Sequence, residues 1–162
     1  MRILAEAFFW VVIAMIQCQW ENHLAVYGIS PDFMFVTALA LSAFLPPSRG
    51  TLWAFFAGIY ADMYYGSPLG ANALVYTLSS WLFQKVAQRF DLYDHLTQAI
   101  SALIFSFPAC VLCWVLSALF ANETWFSWKY VCVVPFFNAA AAPFIFPAVL
   151  GIRHFLRMED RF

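Results

Sequence analysis

Between Arg49 and Lys85 the chain runs for 35 residues with a single charged side chain, Asp62. As one continuous helix that stretch would extend about 52 Å at 1.5 Å per residue. A bilayer core is only about 30 Å thick and is crossed by roughly 20 residues. The chain must therefore turn back inside this segment, and "GSPLG" at 66–70 carries the glycines and proline that a turn needs.

The rest of the sequence has the same character. Charged residues make up 10%, hydrophobic residues 64% and aromatics 20%, with a mean hydropathy of +0.76. Soluble domains devote about a quarter of their residues to charge, so this chain cannot coat a water-facing surface. It reads as an all-α integral membrane protein. Charges and Pro/Gly clusters divide it into six candidate spans, at about 3–20, 32–46, 50–65, 69–86, 95–121 and 129–152, in one transmembrane domain over residues 1–162. The first, behind Arg2, is read as a retained span, because Glu6 interrupts its start and no small-residue cleavage site precedes Gln17.

Orientation follows from the basic residues. With both termini in the cytoplasm, seven of the eight fall inside (Arg2, Arg49, Lys85, Arg89, Arg153, Arg157 and Arg161) and only Lys129 falls outside. Trp20, Tyr27, Tyr64, Tyr65, Trp125, Trp128 and Tyr130 then gather near the outer ends, where amphipathic rings favour the headgroup region. The loops are too short for a soluble module, and no basic stripe points to nucleic acid.

Catalytic patterns are weak. His23, His95 and His154 are dispersed, and no HExxH, GxSxG or phosphate-binding loop occurs. Cys110 and Cys113 form a CxxC inside "FPACVLCWVL", where small apolar packing residues are expected rather than a metal or redox site. Gly58 and Asp62 give a GxxxD fragment, but metal-assisted transfer needs further carboxylates and the next turn offers Gly66. No cofactor, metal or catalytic residue is expected.

Asp62 remains the residue to explain. Gly58 lies at i−4 and Tyr65 at i+3 on its side of a helix. Ala54 with Gly58, and Ala57 with Ala61, follow the spacing that lets helices approach closely in lipid. An acid in such a place is a functional hypothesis by default. It is either a structural group bonded to nearby backbone, Asn72 or Tyr76, or a contact for a partner or ligand. In "GISPDFMF", Ser30 is expected to cap a helix with Pro31 in its first turn and Asp32 complementing the helix dipole. Pro135, Pro143 and Pro147 should loosen the last span, and Asn138 with Ala139–Ala142 makes a narrow face suited to bundle packing or to a partner helix.

The order "SPDFMFVTALALSAFLPPSRGTLWAFFAGIYADMYYGSPLGANALVYTLSSWL" resembles the MreD family of bacterial rod shape-determining membrane proteins. The resemblance rests on Pro31 and Asp32, on Arg49-Gly50, and on the block around Gly58, Asp62 and Gly70. It implies a non-catalytic scaffold in the bacterial cytoplasmic membrane, working beside an MreC-like bitopic protein with MreB, RodA and a class B penicillin-binding protein in lateral-wall peptidoglycan synthesis. It also implies a six-helix bundle similar to the S component of energy-coupling-factor transporters. The rival reading is therefore a vitamin-binding S component, which would need a polar ligand pocket. Under the scaffold reading, Asp62, Gly58, Asp32, Pro31, Ala54, Tyr65 and Gly70 organise the bundle or receive the partner. Membrane lipids bind the basic tail, and pairing into a homodimer stays open.

Overall fold

The computed structural model describes residues 2–24, 29–90, 92–120 and 128–158. Six helices are present: α1 (Arg2–Leu24), α2 (Phe33–Phe44), α3 (Pro47–Tyr65), α4 (Ala71–Ala87), α5 (His95–Phe120) and α6 (Trp128–Met158). Tyr27, Trp125 and Arg161 lie outside the described residues, as do the side chains of Arg2, Trp20, His23, Trp128, Arg153, His154 and Arg157.

The bundle is organised around α2, which touches each of the other five helices. Every residue from Met34 to Ser42 is buried. At twelve residues α2 is only about 18 Å long. The second apolar stretch is thus shorter than the 32–46 expected, and the helix alone does not reach across a 30 Å core. Its shortness has a local cause: Asp32 starts it, and Leu45-Pro46 stops it because Pro46 and Pro47 lack amide protons and pre-set the first turn of α3.

Around this post, α3 with α4 and α5 with α6 form two closely packed hairpins, joined through α4 and α5, while α1 lies outermost. α6 continues as helix through Pro135, Pro143 and Pro147 and runs to Met158, six residues past the expected end. The α5 helix and residues 129–151 of α6 are long and apolar enough to cross a membrane by length and composition.

Polarity is inverted relative to a soluble protein. Phe8, Met63, Leu69, Phe136 and Phe144 project outward, while Gln17, Thr37, Ser80, Gln98, Ser106 and Asn138 are buried. An apolar exterior this extensive calls for an apolar solvent. In that solvent the interior is held by close fit and by hydrogen bonds rather than by water exclusion.

Close fit is most demanding at the α3–α4 crossing. A Cβ on Gly58 would fall 2.3 Å from the Cα of Ala73 and 2.7 Å from the carbonyl carbon of Asn72. A second tight point lies at the opposite end, where a Cβ on Gly50 would meet the Cα of Ser42 at 2.8 Å and Nε2 of Gln84 at 2.9 Å. At that end Gln84 also donates to the Pro47 carbonyl and to Thr51 Oγ1, both at 3.3 Å. Phe83 meets the rings of Phe105 and Phe146 edge-on at 5.0 and 6.3 Å, and Phe146 meets Phe44 at 6.0 Å, joining α2, α4, α5 and α6. Such ring pairs contribute about 0.5–1.5 kcal/mol each beyond their burial.

Gly58→Ala is therefore expected to destabilise the bundle by about 3 kcal/mol, because backbone on both sides must move. Gly151→Ala, where no atom lies within 4 Å of an added Cβ, should be neutral. Unfolding of the two variants in detergent micelles checks the contrast.

Candidate functional site

Polar side chains converge at the end of the bundle where α3 ends and α2 and α4 begin. Both of those helices start at junctions packed against neighbouring helices, and their first amide donors need partners there.

For α4 the partner comes from the preceding helix. The chain leaves α3 through Gly66 at φ 64° and enters α4 through Gly70 at φ 98°, both left-handed values that favour glycine. Gly70 occupies the capping position but has no side chain to cap with. Asp62, eight residues back on α3 and 1% exposed, takes that role. Its Oδ1 accepts from Asn72 N and Ser67 Oγ, each at 2.8 Å. Its Oδ2 accepts from Gly70 N at 2.8 Å and Ala73 N at 3.3 Å. The Ala71 amide reaches the Pro68 carbonyl at 3.0 Å. Negative charge is also favourable at a helix start. The close approach at Gly58 brings α4 near enough for this, so the small residue and the acid work as one device. Ala54, Ala57 and Ala61 share the buried side of α3.

For α2 the cap is Asp32 itself. Its Oδ1 accepts from Phe35 N at 3.0 Å, and Tyr76 Oη donates to its Oδ2. The expected cap at Ser30 is thus displaced by two residues; Ser30 and Pro31 precede the helix and are buried. Asn138 of α6 accepts from Asp32 N at 2.8 Å and donates to Ser106 Oγ of α5 at 3.1 Å. Gln17 of α1 accepts from Phe33 N at 2.9 Å and donates to the Pro31 carbonyl at 3.2 Å and to Tyr65 Oη at 3.1 Å.

Two groups of hydrogen bonds result. One joins Asp62, Ser67, Asn72 and Cys113, whose thiol donates to Asn72 Oδ1 at 3.1 Å while Asn72 Nδ2 donates to Ser67 Oγ at 2.8 Å. The other joins Asp32, Tyr76, Asn138 and Ser106. Of the residues singled out in the sequence, Asp62, Gly58 and Gly70 meet at the α3–α4 corner. Pro31 and Tyr65 meet at Gln17, Asp32 meets Tyr76 and Asn138, and Ala54 lies lower on α3. Tyr76, an expected partner for Asp62, bonds Asp32 instead. Gln17, Ser106 and Cys113 were not singled out as polar contacts. Their signal was an isolated hydrogen-bonding residue inside an apolar run, as in "AMIQCQW" and "LIFSFP".

The cavity between these groups has a volume of about 20 Å³. Larger hollows of about 570 and 610 Å³ lie along the α1–α3 and α3–α4 grooves, and their walls are almost wholly apolar. Among the described residues no three His, Cys, Asp or Glu side chains converge as a metal site.

The architecture is that of a helical membrane protein in which a buried acid, Asp62, and a half-buried one, Asp32, fasten helices. The family model described as rod shape-determining protein MreD matches residues 1–150, and the chain belongs to that family. It is accordingly a membrane protein of the bacterial rod-shape machinery. No curated protein and no solved structure matches the chain.

Asp62→Ala strands four donors, each costing about 1–3 kcal/mol when buried without a partner. Its expected loss of stability exceeds about 3 kcal/mol, with Asp62→Asn intermediate because one amide oxygen replaces two carboxylate oxygens. Tyr76→Phe should cost about 1–3 kcal/mol through its charge-assisted bond to Asp32. Equilibrium unfolding of the three variants in the same micelles orders them.

Proposed function

We propose that this chain is a non-catalytic scaffold of the elongation machinery, a six-span transmembrane domain with both termini in the cytoplasm. It holds an MreC-like bitopic protein in register with lateral-wall peptidoglycan synthesis. The observation that carries this reading is the use made of the two acids. Asp62 and Asp32 are engaged in starting α4 and α2, and the cavity lined by Asp32, Asn72 and Tyr76 is about 20 Å³. Sites for small molecules occupy roughly 300–1,000 Å³, so a vitamin does not fit between these polar groups. That disfavours the S-component alternative and leaves the outer surface as the working part.

The bundle-organising role is assigned here to Asp62, Gly58, Gly70, Asp32, Pro31, Ala54 and Tyr65. With Gly58 and Asp62 engaged by α4, the partner helix docks in this reading on the last helix, where Phe136 and Phe144 are 66% and 79% exposed. The reading includes a wider partnership with MreB, RodA and a class B penicillin-binding protein, and membership of the rod-shape family supports it.

Depletion in a rod-shaped host is expected to round the cells while vitamin uptake continues; normal rods with a specific uptake defect would sink the proposal. Phe136→Ala with Phe144→Ala should lower co-purification with the MreC-like protein several-fold at unchanged stability. Undiminished co-purification would move the docking surface off α6.

A further inference from the structure

Among the described residues no direct bond joins the two hydrogen-bond groups, yet both border the same small cavity. Its wall includes Asn72 and Cys113 from the first group, Asp32, Tyr76, Ser106 and Asn138 from the second, and Ala109 between them on α5. We infer that this cavity binds one ordered water, which joins the two groups into a single network spanning α2 to α6.

Size and chemistry both support a water. A cavity of about 20 Å³ exceeds the roughly 10–15 Å³ that one water requires. A buried water also needs two to four polar partners, and the wall has capacity left over after its internal bonds. Ser106 accepts from Asn138 and retains its own hydroxyl proton. Asn72 and Asn138 each donate one amide proton, to Ser67 and Ser106, and retain a second. Tyr76 donates to Asp32 and retains its oxygen lone pairs. All four residues are buried. A wall of this kind differs from the apolar cavities that stay dry. It also leaves no room for a larger ligand.

The consequence is energetic coupling between residues that do not touch. Asn72 on α4 and Ser106 on α5 belong to different groups, and the water is the link between them. In a double-mutant cycle, Asn72→Ala and Ser106→Ala are each expected to raise the unfolding equilibrium constant about tenfold. The double variant should fall short of their product by about fivefold. Ala109→Val brings two methyl groups into the cavity wall and displaces the water, so in that background the two effects should simply multiply.

Multiplying effects in the native background would overturn the proposal. So would coupling that persists with Ala109→Val, since the link would then run through the protein. The cycle uses the full chain in micelles with sodium or choline chloride at equal concentration. Equal stability in the two salts is expected, and a rise specific to sodium would replace the water with a cation and overturn the assignment. An experimental map fine enough to show ordered solvent should have a peak within about 3.2 Å of both Ser106 Oγ and Asn72 Nδ2. If the variants fail to fold, that map still decides the matter, since absent density at that position rejects the water.

Discussion

A helix that starts inside a membrane protein brings its first amide groups into a medium with nothing to bond them. Two helices here begin at junctions packed against their neighbours, and an aspartate meets each one. The remainder of the bundle depends on these two junctions. Asp62 can reach the start of α4 only because Gly58 lets the backbones of α3 and α4 nearly touch. Asp32 can hold the start of α2 only while Tyr76, Asn138 and Gln17 fix that segment from three other helices. Packing and polarity are consequently not separate contributions. The contact without a side chain makes the charged bond possible, and that bond holds the contact in place.

The opposite end of the bundle is built differently. There the rings of Phe44, Phe83, Phe105 and Phe146 interlock around the end of α2, and Gln84 ties α4 to the start of α3. One end is fixed by direction-dependent bonds and the other by shape. In the proposed scaffold the polar end sets which helices meet and in what register, and the aromatic end adds close fit around Gly50.

Much of the helical layout was legible in the sequence, because runs without charge and clusters of Pro and Gly are direct physical statements in a membrane chain. The turn at 66–70 follows from length alone. The small-residue spacing from Ala54 to Ala61 pointed to the buried side of α3. What sequence could not supply was pairing across distance. Asp62 lies one turn before a bend, and nothing local says that it reaches over the bend to cap the next helix in place of a side chain that Gly70 lacks. The cap of α2 was placed at Ser30, a good capping residue, whereas the fold uses Asp32 because Tyr76 and Asn138 secure it there. Gln17 and Cys113 resembled incidental residues in apolar runs until their partners from other helices were in view.

The unequal lengths of the helices have a consequence for the lipid around them. In the proposed orientation α3 and α4, with 19 and 17 residues, match or fall slightly short of an ordinary hydrocarbon core, whereas α5, with 26, and the 23-residue apolar part of α6 exceed it. A bilayer answers such mismatch by thinning beside short helices and by thickening or tilting beside long ones, at fractions of a kcal/mol per ångström. A bundle spanning the membrane in that orientation, with a short flank and a long flank, would impose a thickness gradient on the leaflets around it. Neighbouring transmembrane segments would sort along that gradient by length before any specific contact forms, which gives the molecule a handedness toward its surroundings that no single residue encodes.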